Sequence, residues 1–407
     1  MSPLNQKTKK ATIWTRGFVC IIISNICANM AMFAVSTYLT TYMSYLGVGA
    51  GLAGLIAGLY YTTGLLMRPV AGPMQATLNK KKLMTATYAL SFVVNLCYAF
   101  CPSVGLFIVF RLIHGVQLAF FGSLALTIAS SSLPEEKMSS GLGVYGLSGI
   151  VSQALGPGVS LYVRGIGESL GGPGGGFKAI FLASALFSLI SVIPCFFLPE
   201  VDAPGSEEKE KTVWYKNIIA KESLMPSFVI GLFTVAAILY STYMIPYGAY
   251  KGIENVGLYF TVNAVLMVVS RPIAGHLTDK YGQNVTFYPG MALYMLSFIV
   301  ISRATSLTHV VIAAACASIG AGVVQPAVQS MALQAVKPRR RAVASNTVFT
   351  VMDLGNFLGP TLGGAVLSMG SYESMFRFAL IPLALAVVLF ALGWKSYLRN
   401  RAKALEE

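Results

Sequence analysis

Twelve apolar stretches follow one another along the chain, and they limit its fold more than any other feature. A helix needs about 20 mostly apolar residues to cross roughly 30 Å of hydrocarbon, so each stretch predicts one membrane-spanning helix. They lie near residues 16–38, 51–71, 83–101, 104–131, 139–163, 178–198, 224–248, 256–275, 285–303, 308–335, 343–368 and 375–395. The sequence therefore predicts an all-α integral membrane protein with twelve transmembrane helices.

The low charge content excludes a soluble protein. Charged residues make up 11% of the chain and hydrophobic residues 55%, whereas a soluble domain carries roughly 25% charged residues. The chain contains no GxxxxGK[ST] motif, no HExxH motif and no CxxC pair, and its six cysteines all lie in apolar stretches. We therefore expect that the protein is not an enzyme and that it holds no cofactor or metal.

One segment, residues 199–222, differs from everything around it. It contains ten charged residues, which is typical of a solvated linker, and a short surface helix is expected near Trp214–Ile219. The segment divides the apolar stretches into two groups of six. The predicted organisation is an N-terminal six-helix bundle at 1–198, a cytoplasmic linker at 199–222 and a C-terminal six-helix bundle at 223–407.

The distribution of Lys and Arg residues predicts the orientation in the membrane. With both termini cytoplasmic, 21 of the 29 basic residues fall in cytoplasmic segments and 5 fall in outside segments, in agreement with the positive-inside rule. The formal net charge of +14 then reflects topology, and no nucleic-acid partner is expected. The prediction is a multi-pass membrane protein with both termini inside and a flexible outside loop at Gly165–Gly176.

An internal repeat relates the two groups of helices. The sequence RPVAGPMQATLN at 68–79 and the sequence RPIAGHLTDKYG at 271–282 share Arg, Pro, Ala and Gly in the same order, 203 residues apart. The tripeptide LGP recurs at 155–157 and 358–360 with the same offset. Parallel repeats of this kind are a transporter architecture in which the substrate binds between the halves. The sequence thus predicts two pseudo-symmetric six-helix bundles.

Three motifs resemble those of one transporter family. The segment Gly275–Gly282 (GHLTDKYG) resembles the loop signature of the major facilitator superfamily between helices 8 and 9. Arg111 in FRLIHG resembles the signature Arg of helix 4 in proton-coupled members, and Gly156–Pro157 resembles the antiporter signature of helix 5. Over its whole length the chain is most similar to bacterial drug:proton antiporters and related small-molecule exporters.

The resemblance implies a conformational latch between the halves. Its candidate residues are Arg68, Gly72, Arg271, Gly275, Asp279, Gly156, Pro157, Gly359 and Pro360. Two features depart from the family pattern. Ala76 stands where the family has the Asp of the N-half latch, and the complete antiporter motif occupies Gly355–Gly364 instead of helix 5. The alternative role for these glycines and prolines is helix packing.

Asp353 is the acidic residue that the apolar stretches enclose. The other fourteen of the fifteen acids fall in loops, linker or tail, whereas Asp353 lies about ten residues, or roughly 15 Å, into the eleventh stretch. A carboxylate near the middle of the membrane is costly unless it is paired or hydrated. Two roles fit: Asp353 binds the coupling proton, or it forms a buried ion pair, for instance with Arg68.

Polar residues in the other stretches are the candidates for binding substrate. Arg111 and His114 lie at i, i+3 on the fourth stretch, and both are candidates for proton coupling together with Asp353. The full set of candidate substrate-binding residues is Asn25, Asn29, Arg111, His114, Gln117, Tyr240, Tyr243, Tyr247, Gln325, Gln329, Asn346, Asp353 and Asn356. For each of them the alternative is a hydrogen bond that joins two helices.

The function that the resemblance implies is proton-coupled efflux of a small amphipathic or zwitterionic molecule by alternating access. The expected partners are this substrate, protons and membrane lipid, and the expected state is a monomer. Two alternatives stay open on the sequence alone: proton-coupled uptake by a symporter, and a non-transporting membrane sensor or scaffold on the same fold.

Overall fold

A computed structural model of the chain describes residues 12–101, 103–199 and 217–405, which fold mainly into α-helices. In chain order these are α1 (Arg16–Tyr45), α2 (Ala50–Thr77), α3 (Lys80–Ala99), α4 (Val104–Ser131), α5 (Met138–Phe196), α6 (Leu224–Lys251), α7 (Leu258–Tyr281), α8 (Gln283–Ile301), α9 (Leu307–Gln334), α10 (Arg341–Met369), α11 (Tyr372–Phe378) and α12 (Leu380–Leu405). Each predicted apolar stretch overlaps one of them. The linker helix predicted near Trp214 falls mostly outside the described residues.

Membrane solvation explains why the chain forms long helices. Hydrocarbon offers no partner to a backbone N–H or C=O group, and a helix satisfies both within one segment. Eight helical stretches of the described residues are long and apolar enough to cross a membrane, judged by length and composition. Several helices begin at a residue whose side chain accepts a hydrogen bond from the first turn, namely Thr15, Asn79 and Ser103.

Helix α5 contains a sharp break that corrects one prediction. Its 59 residues would extend about 89 Å if straight, three times the thickness of the hydrocarbon. The backbone leaves the helical region at Gly171 and Gly172, and Gly172 has φ 65° and ψ −167°. The expected flexible loop at Gly165–Gly176 is therefore wrong, because helix continues on both sides of two glycines.

The two parts of α5 fold back on each other at this break. A Cβ atom at Gly167 would overlap the carbonyl oxygen of Gly175, and a Cβ atom at Gly176 would meet the backbone of Arg164 at 3.2 Å. Only glycines allow the backbones to approach so closely. Helix α5 thus contributes the fifth and the sixth predicted crossing.

Three hydrophobic clusters show how the helices are grouped. One cluster contains residues of 229–397 only, and a second contains residues of 35–181 only. The third joins residues in the first half of α1 and α3, the second half of α2 and α4 and both ends of α5 to Ala220, Leu333, Val336, Val343 and Ala344. The N-terminal helices (α1–α5, the N half) and the C-terminal helices (α6–α12, the C half) therefore share a core at one end. We call this the terminal end, because α1 begins and α12 ends there.

Candidate functional site

An ion pair joins the N half to the C half. Arg68 lies on α2 and Asp353 lies on α10, and the Nε and Nη2 atoms of Arg68 are each 2.9 Å from Oδ2 of Asp353. Both nitrogens contact the same carboxylate oxygen, so the pair is a charge-assisted hydrogen bond from Nε with Nη2 close to the same atom. Of the two roles that the sequence offers for Asp353, the ion pair with Arg68 is present in the structure.

The two partners of this pair differ in exposure. The side chain of Arg68 is 2% exposed and that of Asp353 is 22% exposed. Nη1 of Arg68 also donates to the carbonyl oxygen of Ala119 at 2.8 Å, and its guanidinium lies 5.2 Å from the ring centre of Phe349. Asn346 donates from Nδ2 to the carbonyl oxygen of Arg68 at 3.0 Å. The arginine is held in place, and the carboxylate is the partner that water can reach.

Arg271 on α7 is the counterpart of Arg68 in the C half, but it has different partners. Its Nη2 atom donates to Oε1 of Gln325, and its guanidinium lies directly against Gly146 of α5. Its Nε atom is buried and has no hydrogen-bond partner. Among the described residues no carboxylate lies within ion-pair distance of Arg271.

Asp279 links the halves at the terminal end. Its two carboxylate oxygens accept from the backbone N–H groups of Ser139 and Ser140, each at 2.9 Å. These groups belong to the first turn of α5, where unpaired N–H groups and the helix dipole favour a negative charge. Gly275 permits the approach, because a Cβ atom there would lie 2.7 Å from the carbonyl oxygen of Ser139.

The matching place in the N half is built differently. Gly72 of α2 faces the end of the linker, where a Cβ atom would lie 2.8 Å from the carbonyl oxygen of Asn217. The linker end also contacts α10, because the N–H group of Ala220 donates to Oγ1 of Thr347 at 2.9 Å. The segment 217–220 therefore lies between the two halves on the side where Ala76 provides no carboxylate.

Four of the predicted latch residues lie inside one half and not between the halves. Gly156 packs α5 on α1, since a Cβ atom there would lie 2.7 Å from Cβ of Phe33, and Pro157 is the next residue of the same helix. Gly359 packs α10 on α6, and the carbonyl oxygen of Pro360 accepts from Tyr243 at 2.9 Å. Their assignment to a latch is corrected to helix packing, because each contact joins helices of the same half.

The candidate residues on α4 form a buried polar cluster within the N half. His114 is 3% exposed, with Nε2 3.3 Å from Ser91 and Nδ1 3.3 Å from Tyr98. Arg111 is 2% exposed; its Nη2 donates to the carbonyl oxygen of Ala57 at 3.2 Å, and its guanidinium lies 4.8 Å from the ring centre of Tyr60. Gln117 accepts from Tyr60 at 3.1 Å. The cluster joins α2, α3 and α4 of the N half.

The remaining candidates separate into two groups. Asn25 donates to Ser148 and Asn29 donates to the carbonyl oxygen of Asn25, so both lie in N-half packing. Tyr240 and Tyr247 are buried in the C-half core, where they donate to Ser297 and to the carbonyl oxygen of Ile301; Tyr243 is half-buried. Gln325 contacts Arg271, Gln329 is half-buried and Asn356 is exposed. The prediction that these tyrosines contact substrate is therefore wrong for Tyr240 and Tyr247, because their rings are buried in the C-half core.

Tyr61 is a residue that sequence analysis missed. It is 55% exposed and lies within electrostatic reach of both Arg111 and Asp353. It lies seven residues before Arg68 on α2, which places the two side chains on one helix face. This spacing is visible in the sequence, but it does not single out Tyr61, because tyrosine is common in apolar helices and carries no charge.

The whole chain is similar to known membrane proteins. A family model described as Major Facilitator Superfamily matches residues 21–254 and 251–406. The chain is 24% identical to the uncharacterized MFS-type transporter YbcL of Bacillus subtilis, covering 95% of this chain and 98% of that protein. It is 24% identical to the staphylopine export protein of Staphylococcus aureus (87% and 89% covered) and 22% identical to the multi-drug resistance efflux pump PmrA of Streptococcus pneumoniae (98% and 99% covered).

Among solved structures, the chain resembles the transporter FucP in the outward conformation. The TM-score is 0.76 at 12% identity, with 92% of this chain and 98% of that chain covered. At this identity the likeness concerns the fold.

Proposed function

Because the chain belongs to the major facilitator superfamily, we propose that it is a secondary active transporter that exports a small amphipathic or zwitterionic molecule in exchange for protons. Membrane transport is the activity of the family. Export is supported by the similarity to the staphylopine export protein and to PmrA. Proton coupling is supported by the ion pair between Arg68 and Asp353, which is the single observation that carries the proposal.

The ion pair offers a way to couple a proton to a change of conformation. Ionised Asp353 attracts Arg68 across the boundary between α2 and α10 and so favours contact between the halves at the terminal end. A proton on Asp353 removes the charge, and the guanidinium then loses its partner in a site of low dielectric constant. Protonation therefore favours separation of the halves at this end.

The direction of transport follows if the terminal end faces the cytoplasm, which is the orientation that the positive-inside rule favours. In the structure described here the terminal end is closed, so the partly exposed carboxylate of Asp353 takes its proton from the opposite side. The proton is then released on the cytoplasmic side after the terminal end has opened, and substrate moves outward on the return. Each inward charge supplies about 2.3 kcal/mol per 100 mV.

The test is transport in proteoliposomes that contain the purified full-length protein. A pH gradient is expected to drive the flux of a substrate found by screening, and Asp353→Asn is expected to abolish gradient-driven flux while substrate exchange without a gradient continues. Asp353→Glu is the matched control and should keep part of the coupling. Gradient-driven flux in Asp353→Asn at the wild-type rate would contradict the proposal, and inward accumulation of substrate would indicate symport.

A further inference from the structure

Arg271 occupies the place of Arg68 in the C half, but its surroundings have lost the side chains that complete the Arg68 site. With the repeat offset of 203, Asn346, Phe349 and Asp353 correspond to positions 143, 146 and 150. Those positions hold two glycines and Ile150. The carbonyl group of Arg271 lies against Gly143 and its guanidinium against Gly146, as the same groups of Arg68 meet Asn346 and Phe349. The contact geometry of the two sites is thus conserved, whereas the carboxylate is present in one site only.

The charge of Arg271 is not balanced by the described residues. Gln325 offers a neutral oxygen, and Nε of Arg271 is buried without a hydrogen-bond partner. A buried guanidinium is costly unless a counter-charge or water satisfies it. The boundary between α5 and α7 therefore holds an uncompensated positive charge at Arg271, which attracts an anion.

The two arginines differ in exposure. Arg271 is half-buried, whereas Arg68 is fully buried. Arg271 itself fills the places beside Gly143 and Gly146, because a Cβ atom at Gly143 would lie 2.8 Å from its carbonyl oxygen and one at Gly146 would overlap Nη1. One turn further along α5, a Cβ atom at Gly149 would meet nothing within 4 Å. Arg271 is therefore more accessible to a ligand than Arg68 is.

We propose that Arg271 is the subsite that binds a carboxylate group of the transported molecule. The Arg68–Asp353 pair is the model for this contact. Asp353 provides the carboxylate for Arg68, and the substrate would provide the carboxylate for Arg271. A guanidinium can donate two parallel N–H···O bonds, and this geometry matches the two oxygens of a carboxylate. The proposal rests on the proposed transport function and narrows its substrate class to molecules that carry a carboxylate.

The test measures binding to the purified full-length protein in detergent by thermal shift. The probes are three acid and amide pairs of matched shape: benzoate and benzamide, salicylate and salicylamide, nicotinate and nicotinamide. In the wild type at least one acid is expected to bind about tenfold more tightly than its amide, as a charged hydrogen bond provides. Arg271→Gln should lose this preference and Arg271→Lys should keep part of it. An unchanged preference in Arg271→Gln, or no preference in the wild type, would overturn the proposal.

A second variant leaves Arg271 intact and supplies the missing carboxylate. Ile150→Asp places an acid at the position that matches Asp353, so it should pair with Arg271 and remove the preference for the acid probes. Ile150→Asn is the matched control and should keep it. Acid binding in Ile150→Asp at wild-type affinity would contradict the pairing. These measurements need no proton gradient, so their failure is distinguishable from a failure of proton coupling, which the flux of Asp353→Asn tests.

Discussion

At the scale of single residues, the main feature is the different treatment of two related arginines. Arg68 is neutralised by Asp353 across the boundary between the halves, and Arg271 meets glycines and an amide instead. The duplicated sequence therefore carries a carboxylate beside the arginine on one side, whereas among the described residues none pairs with the arginine on the other. We interpret this asymmetry as the division between coupling and substrate recognition.

The stability of the ion pair can be tested by a double-mutant cycle. Arg68→Gln leaves the mostly buried carboxylate of Asp353 without its partner and should lower stability by roughly 2 kcal/mol, since breaking a buried pair is costly. Asp353→Asn on its own should also lower it, because the guanidinium is then left unpaired. The double variant should recover most of the loss. Thermal unfolding in detergent is the measurement, and strictly additive losses would show that the pair contributes no coupling energy.

The sequence pointed to both Arg68 and Asp353, but it left open whether the two form an ion pair. Asp353 stood out because it is an acid within an apolar stretch, and Arg68 because it begins the repeated motif. Which side chains of different helices meet depends on helix rotation, and the hydropathy pattern does not define rotation in a bundle that is apolar on all sides. For the same reason Tyr240 and Tyr247 were assigned to the substrate path, although their rings complete the C-half core.

At the scale of helices, two short sequence features decide the course of the chain. The glycine pair in α5 turns one apolar element into two crossings. Asp279 fixes the end of α7 to the start of α5 through two backbone hydrogen bonds. The composition of the glycine-rich segment predicts a loop. In the structure the chain reverses at two glycines, and of these two only Gly172 has a backbone conformation that other residues rarely adopt.

The glycine break gives a prediction with a neighbouring control. Gly172→Ala should destabilise the protein by about 1–3 kcal/mol, because its backbone conformation is essentially restricted to glycine. Gly171→Ala should be nearly neutral, since the φ of −149° at Gly171 suits any residue and a Cβ atom there meets nothing within 4 Å. Thermal unfolding in detergent compares the two. Equal stability of both variants would contradict the break as described.

The contact between α7 and α5 gives a prediction about closure. Gly275→Ala should weaken the closed terminal end, because the new methyl group would press on the backbone of Ser139 and Ser140 at 2.7 Å. Gly58→Ala on α2 is the control, since a Cβ atom there meets nothing within 4 Å. Cysteine labelling of Ser140→Cys, a half-buried position beside Asp279, should become faster only with Gly275→Ala. Equal labelling in both backgrounds would show that the contact does not control closure.

At the level of the whole molecule, the described residues form two helical halves whose shared hydrophobic cluster lies at the terminal end. The twelve apolar stretches and the offset of 203 residues were sufficient to predict this architecture, because membrane solvation leaves few alternatives to helices and the repeat relates the halves. The closed terminal end was beyond the sequence, since the same residues must also support the open state. The ion pair, the Asp279 contact and the linker end all act on this one boundary.

If a proton on Asp353 opens the terminal end, the distance across that end changes with pH. Spin labels on Glu136→Cys and Lys280→Cys, in a chain whose six native cysteines are replaced by serine, report the separation of the halves by double electron–electron resonance. The carboxylate of Asp353 holds Arg68 when it is ionised and releases it when it is protonated. The distance between the labels should therefore be short at mildly alkaline pH and longer at mildly acidic pH. Asp353→Asn should show the longer distance at both pH values. If this variant instead follows the pH response of the wild type, protonation of Asp353 does not open the terminal end.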